Sequence, residues 1–185
     1  MTVTVVGIGG SVRADSQSER ALHAALAGAR DAGAKVHAIT GSSLVLPFYD
    51  PQVPERTDNA SELVAALREA DGVLLASPGY HGTVSGLVKN ALDYVEDLRH
   101  DERPYLDGRG VGCIGTAHGW QASVTTLQAL RSVVHALRGW PTPLGAAVNT
   151  LETELGPGGS DSDPKVDTTL RTIGEQVVDF ASRRP

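Results

Sequence analysis

A chain of 185 residues can bury one hydrophobic core and is too short for two average domains, so a single domain spanning residues 1–185 is expected. Sixteen basic against 22 acidic residues give a formal net charge of −6, which argues against nucleic acid or a membrane surface as the main partner and leaves room for a small, locally neutralised anion. The single Cys113 excludes a disulfide framework, and no run approaches the ~18 apolar residues of a membrane span, so a cytoplasmic protein is expected.

In chain order, the apolar run at residues 2–8 predicts a first strand, followed by a Gly- and Ser-rich turn at 9–17 and a helix over 16–32 with Ala21, Leu22, Ala25 and Ala29 on one stripe. A second strand at 35–40 precedes a Pro-rich irregular stretch, 41–58, and a helix over 59–70. The third strand, 72–78, leads through a loop at 77–85 into a helix over 85–98. The fourth, 110–116, holds Cys113, read as a core residue, and passes through a loop at 116–121 into a helix over 121–137. A fifth strand at 143–149, an irregular surface loop at 155–163 and a helix over 164–181 complete the pattern. Several strands are apolar on both faces, and strict β-α alternation implies an open, doubly wound, five-stranded parallel sheet with helices on both faces. Ligands of such sheets bind beyond the carboxyl ends of the strands, which directs attention to the loops after the first, third and fourth.

The first loop decides between ligands. A dinucleotide fingerprint needs G-x-G-x-x-G and an acidic end to the second strand; Gly7 and Gly9 are present, but the third position is Val12 and the strand closes His37-Ala38-Ile39-Thr40. No G-K-[ST] and no G-x-S-x-G occurs. What remains, GSVRADSQS, offers the hydroxyls of Ser11, Ser16 and Ser18, the guanidinium of Arg13, and the open N–H groups of a helix beginning near Gln17, a set suited to one terminal phosphate. A capping box, Ser16 with Glu19, is the competing explanation; it leaves Gly10, Ser11 and Arg13 without a purpose. Glu19 would repel a phosphate unless it faces away.

This loop resembles the phosphate loop of the NADPH-dependent FMN reductase family, flavodoxin-like proteins with a G-S-x-R-x-x-S-x-[NST] pattern. The resemblance implies that Ser11, Arg13, Ser16, Gln17 and Ser18 bind the FMN phosphate. The stretch SPGYHGTVSGLVKNALDYVEDL is similar to the family's T-P-E-Y-N-G-S-x-P-G-x-L-K-N-A-L-D-W segment, which implies flavin-ring contacts from Pro78, Gly79, Tyr80, His81 and Gly82. Gly79 replaces the usual glutamate and His81 the usual asparagine. In the loop Thr116-Ala117-His118-Gly119-Trp120, the resemblance places Thr116, His118 and Gly119 at the N1/O2 edge of the ring, with Trp120 either covering the ring or packing at a subunit contact. LPFYDPQVP, residues 46–54, is similar to a family loop common at dimer interfaces, so a homodimer or homotetramer is implied.

Function follows as an expectation: hydride passes from NADPH or NADH to FMN, with small-molecule substrates and a flavin-dependent monooxygenase as a candidate recipient of reduced flavin. No catalytic side chain and no metal are expected, since the flavin carries the chemistry; the carboxylates of residues 93–102 read as a solvated helix face. Three other readings stay open: a reductase of quinones, azo compounds or metal oxyanions that retains FMN, a one-electron carrier like flavodoxin, and a binding module with a disused site.

Overall fold

In the computed structural model, which describes residues 2–157 and 163–183, strands and helices alternate as the apolar runs predict. β1 (Thr4–Gly9) leads into α1 (Gln17–Asp31) and β2 (Lys35–Thr40) into α2 (Asp58–Glu69). β3 (Gly72–Tyr80) passes through the short β4 (Thr83–Val84) to α3 (Gly86–Asp93), and β5 (Gly110–Ala117) leads into α4 (Trp120–Ala136). β6 (Trp140–Pro141) and β7 (Ala146–Asn149) precede α5 (Pro164–Ser182). The order is β2-β1-β3-β5-β6, all parallel, with β7 also on β5 and β4 antiparallel to β3. This is the doubly wound flavodoxin-like sheet, built because each parallel step needs a crossover and each crossover here is a helix.

Side chains alternate across the sheet. Val6, Ile8, Val73, Leu75, Val111 and Cys113 face α2, α3 and α4, while Val5, Leu74, Ala76 and Ile114 face α1 and α5. Cys113 is a core residue, as read from the sequence: it is wholly buried, and burial pushes its thiol up to about 12, so it stays protonated at neutral pH. α1 and α5 cross almost backbone to backbone. A Cβ on Gly28 would lie 2.2 Å from the Arg171 carbonyl oxygen, and one on Gly174 would lie 2.0 Å from that of Ala25.

Three sequence expectations need correction. The fifth strand is not one run over 143–149 but two pieces: Thr142 N–H still donates to Val111 O at 2.9 Å, Pro143 has no N–H to give the ladder, and residues 143–145 leave the sheet, with Leu144 N–H donating instead to Gln176 Oε1 at 3.0 Å. The helix expected over 85–98 stops at Asp93 and tightens into a 3₁₀ turn, Tyr94–Leu98. The loop at 77–85 is a hairpin: β3 runs on to Tyr80, and His81 (φ 49°) with Gly82 (φ 93°) forms a two-residue turn of left-handed residues before β4. Of the irregular loop expected at 155–163, residues 158–162 lie outside the described residues. The stretch 41–58 is irregular as expected apart from a 3₁₀ turn, Gly41–Leu44.

Candidate active site

At the carboxyl ends of β1, β3 and β5, the three loops singled out above converge on a cavity of about 470 Å³. Its first wall is the turn between β1 and α1. Gly9 lies so close to β3 that a Cβ there would sit 2.2 Å from the Ala76 carbonyl oxygen, and the next N–H, of Gly10 (φ 93°), donates to that oxygen at 3.2 Å. The turn is thereby pinned to the end of β3 where the chain leaves the sheet. Ser11 Oγ accepts from Arg13 N–H at 3.2 Å, and Ser16 caps α1 by accepting from Glu19 N–H at 3.3 Å. The N–H groups of Gln17 and Ser18 meet no acceptor among the described residues. The Arg13 side chain is exposed on the cavity wall and makes no ion pair among the described residues.

The carboxylates of this wall are held. Glu19 does not close the expected capping box; its carboxylate accepts from Asp15 N–H at 2.9 Å and from the Thr40 hydroxyl at 2.8 Å, and it does not line the cavity. Thr40, where a dinucleotide binder carries an acid, thus draws Glu19 away from the anion site. Asp15, in a left-handed conformation at φ 56°, takes a two-pronged hydrogen bond from Arg20 at 2.9 and 2.6 Å. That guanidinium holds the Asp15 carboxyl below its ordinary value.

The second wall is the hairpin. Pro78, Gly79 and Tyr80 line the cavity, Tyr80 half exposed, while His81 and Gly82 form the exposed tip and do not. Gly79 packs against α4, where a Cβ would meet Thr126 Oγ1 at 2.4 Å, which accounts for the absence of the usual glutamate. His81 occupies the left-handed turn position that Asn commonly fills. Ser77, buried, ties the hairpin back by accepting from Ser85 N–H at 2.9 Å.

The third wall is the end of β5. Thr116 is a buried strand residue, His118 is exposed, and both line the cavity. Gly119 does not line it; its N–H donates to Asn149 Oδ1 at 2.8 Å. Trp120 is outside the lining as well, its indole N–H donating to Glu152 Oε1 at 2.8 Å. The cavity thus gathers Ser11, Arg13, Ser16, Gln17, Ser18, Pro78, Gly79, Tyr80, Thr116 and His118, and leaves His81, Gly82 and Gly119 beside it. Sequence reading missed Asp15, Arg20, Ala117, Ala122, Thr150 and Glu154 on the same walls. Thr150 and Glu154 arrive on the segment after β7, and no motif marks them.

Away from the cavity, Asn90 clasps the 46–54 loop, accepting from Tyr49 N–H and donating to Pro47 O, both at 2.9 Å. Arg56 lies over the rings of Tyr49 and Tyr94 and pairs with Asp97. Phe48, in the same loop, is 92% exposed. Among the described residues, no cluster of His, Cys, Asp or Glu suits a metal, and no helix is long and apolar enough to cross a membrane.

The donor chemistry fits a terminal phosphate at one end of the cavity: hydroxyls, open N–H groups and a guanidinium, with the adjoining carboxylates of Asp15 and Glu19 paired off. At the other end, strand termini and Tyr80 offer backbone groups and a flat face of the kind a flavin ring takes. The sequence profile of the NADPH-dependent FMN reductase family matches residues 3–152. An FMN-dependent NADPH-azoreductase of Staphylococcus aureus is 31% identical over 137 residues, 73% of this chain and 69% of that one. Among solved structures, the flavoenzyme FerB from Paracoccus denitrificans superposes with a TM-score of 0.80 at 21% identity, covering 98% of both chains. The apo form of an NADH:FMN oxidoreductase, EmoB, superposes at 0.72 and 20% identity over 100% of this chain and 92% of that one. Those two likenesses show the fold; the family match and the azoreductase show the lineage. The chain belongs to the NADPH-dependent FMN reductase family, with FMN and a nicotinamide nucleotide as its cofactors.

Proposed function

We propose that this protein binds FMN along the cavity and catalyses its reduction by NADPH or NADH, passing the electrons to a small-molecule acceptor or, as reduced flavin, to a flavin-dependent monooxygenase. The observation that carries the reading is the first loop: an exposed Arg13 with no ion pair among the described residues, beside two helix N–H groups that meet no acceptor among them, on the wall of the same cavity that the ends of β3 and β5 complete. Ser11, Arg13, Ser16 and Ser18 bind the phosphate with the backbone N–H of Gln17. Pro78, Gly79 and Tyr80 flank the ring, and Thr116 and His118 meet its polar edge. His81, Gly82 and Gly119 shape the two loops that do so.

Bound FMN supplies hydride transfer at its own ring, so the protein need not provide an acid, base or nucleophile. Its contribution is to orient the ring between the β3 hairpin and the β5 end. Rapid anaerobic mixing of the protein and FMN with each nicotinamide nucleotide, followed at the flavin absorbance band, tests the proposal. Bleaching with at least one nucleotide is expected, and an unchanged band with both refutes it.

A second reading keeps FMN bound and reduces an azo compound or quinone. The azoreductase relative favours it, as does Tyr80, whose half-exposed ring offers a flat acceptor a face. FMN retained through gel filtration with ping-pong kinetics supports that reading; freely exchanging FMN supports the first. The 46–54 loop, stiffened by Asn90 and Arg56 yet presenting Phe48 to solvent, supports assembly as a homodimer or homotetramer. The single buried thiol accords with a cytoplasmic location.

A further inference from the structure

We infer that Gln17 is a positioning residue: its side chain holds the segment 149–155 against the first loop and, through that segment, fixes the spacing between the two ends of the cavity. This rests on the proposal that FMN occupies the cavity. Both ends of the Gln17 amide are committed to one residue. Its Nε2 donates to Leu155 O at 3.2 Å and its Oε1 accepts from Leu155 N–H at 2.8 Å, on a residue that is wholly buried. Arg20 adds a third bond, Nη1 to Leu155 O at 2.5 Å, while its other two nitrogens grip Asp15.

The same segment is fastened at its other end to the β5–α4 loop. Thr150 N–H donates to Ala117 O at 2.9 Å, and Asn149 Oδ1 accepts from Gly119 N–H at 2.8 Å and Leu151 N–H at 3.2 Å. Between the two fastenings, the segment brings Thr150 and Glu154 to the cavity wall. It therefore bridges the loop at the phosphate end and the loop at the ring end. Gln17 sits at the first anchorage, with both polar atoms of its side chain bonded to the Leu155 backbone.

The two possible roles of the side chain separate by ligand. A phosphate ligand affects FMN and is silent toward riboflavin, which lacks the phosphate. A residue that sets the segment affects both. Gln17→Met keeps the length and removes the polar atoms. In the purified protein without flavin, it is expected to speed amide exchange across residues 151–155 by about tenfold, the loss of roughly 1.4 kcal/mol of local protection. Protection of β1 and β5 should hold, which a general loosening would not allow. In fluorescence titrations it should weaken FMN and riboflavin by the same factor, about threefold to tenfold for one or two neutral hydrogen bonds. The KM for FMN should rise with the Kd while kcat at saturating flavin stays constant. Arg13→Ala is the contrast, weakening FMN alone.

A Gln17→Met loss confined to FMN overturns the inference and assigns the side chain to the phosphate; unchanged exchange at 151–155 overturns it as well. Should Gln17→Met not fold, Gln17→Asn, which keeps the amide but is one methylene too short, serves the same comparisons. If the wild type binds neither flavin, the FMN proposal fails by itself, and the exchange measurement still decides whether Gln17 holds the segment.

Discussion

Arg13 is exposed and makes no ion pair among the described residues, so its charge is available to a ligand and its removal breaks no salt bridge among them. Arg13→Ala is expected to weaken FMN binding by about 1.5–3 kcal/mol, roughly tenfold to 150-fold, with thermal stability unchanged; parallel titration and melting measure both. Asp97 behaves in the opposite way. The Arg56 guanidinium, bonded to it at 2.7 and 2.8 Å, holds its carboxyl below the ordinary value of 3.8. A lowered folded-state value means that the charged pair stabilises the fold fully above the ordinary carboxylate range and loses its contribution as the pH falls through the lowered value. Asp97→Asn should therefore destabilise the protein at pH 7 by about 1 kcal/mol, given that both partners retain some solvent. Urea melts should show the gap to wild type closing as the pH falls below 4 and remaining constant between pH 6 and 8. Residue types were readable from sequence here, but directions were not. Glu19 looked like half of a capping box and instead bonds Asp15 and Thr40, because β2 ends within its reach.

Among the elements, α1 and α5 hold the first loop in place. Their crossing leaves no room for a methyl group at position 174, where a Cβ would lie 2.0 Å from a carbonyl oxygen. Gly174→Ala should force the helices apart and destabilise the fold by about 1–3 kcal/mol or more, although alanine is the better helix former. A denaturant midpoint that rises on this substitution would show that the helices do not cross so closely. Nothing local in the sequence announces this contact, since Gly28 and Gly174 are 146 positions apart. The five helices were legible because each buries a periodic stripe, and β1, β2, β3 and β5 because each is a short apolar run between turn residues. The fifth strand was misjudged because Pro143-Leu144-Gly145 reads as apolar while a ladder reads N–H groups. The hairpin at 81–82 was legible only in part: the glycine was visible, and His in a left-handed position is a context effect.

For the whole molecule, the proposed homodimer or homotetramer makes a prediction at the 46–54 loop. Phe48 is 92% exposed on a loop that Asn90 and Arg56 keep from collapsing, so it is presented outward at the expense of contact with water. On that proposal the wild type scatters light as more than one chain, and Phe48→Glu should shift the mass toward one chain without changing the circular dichroism spectrum; a wild-type monomer, or a mass the substitution leaves unchanged, overturns the role given to Phe48. The cavity, too, is a property of the whole chain, since its walls come from residues 11–20, 78–80, 116–122 and 150–154, and only the first three groups carry motifs. The break between β6 and β7 has a consequence for crowding. With prolines at 141 and 143 and a gap of four residues, the outer margin of the sheet offers a neighbour no continuous row of amides and carbonyls to zip onto. The molecule is thereby guarded on that side against edge-to-edge aggregation, which leaves side-chain surfaces to govern any contact between copies.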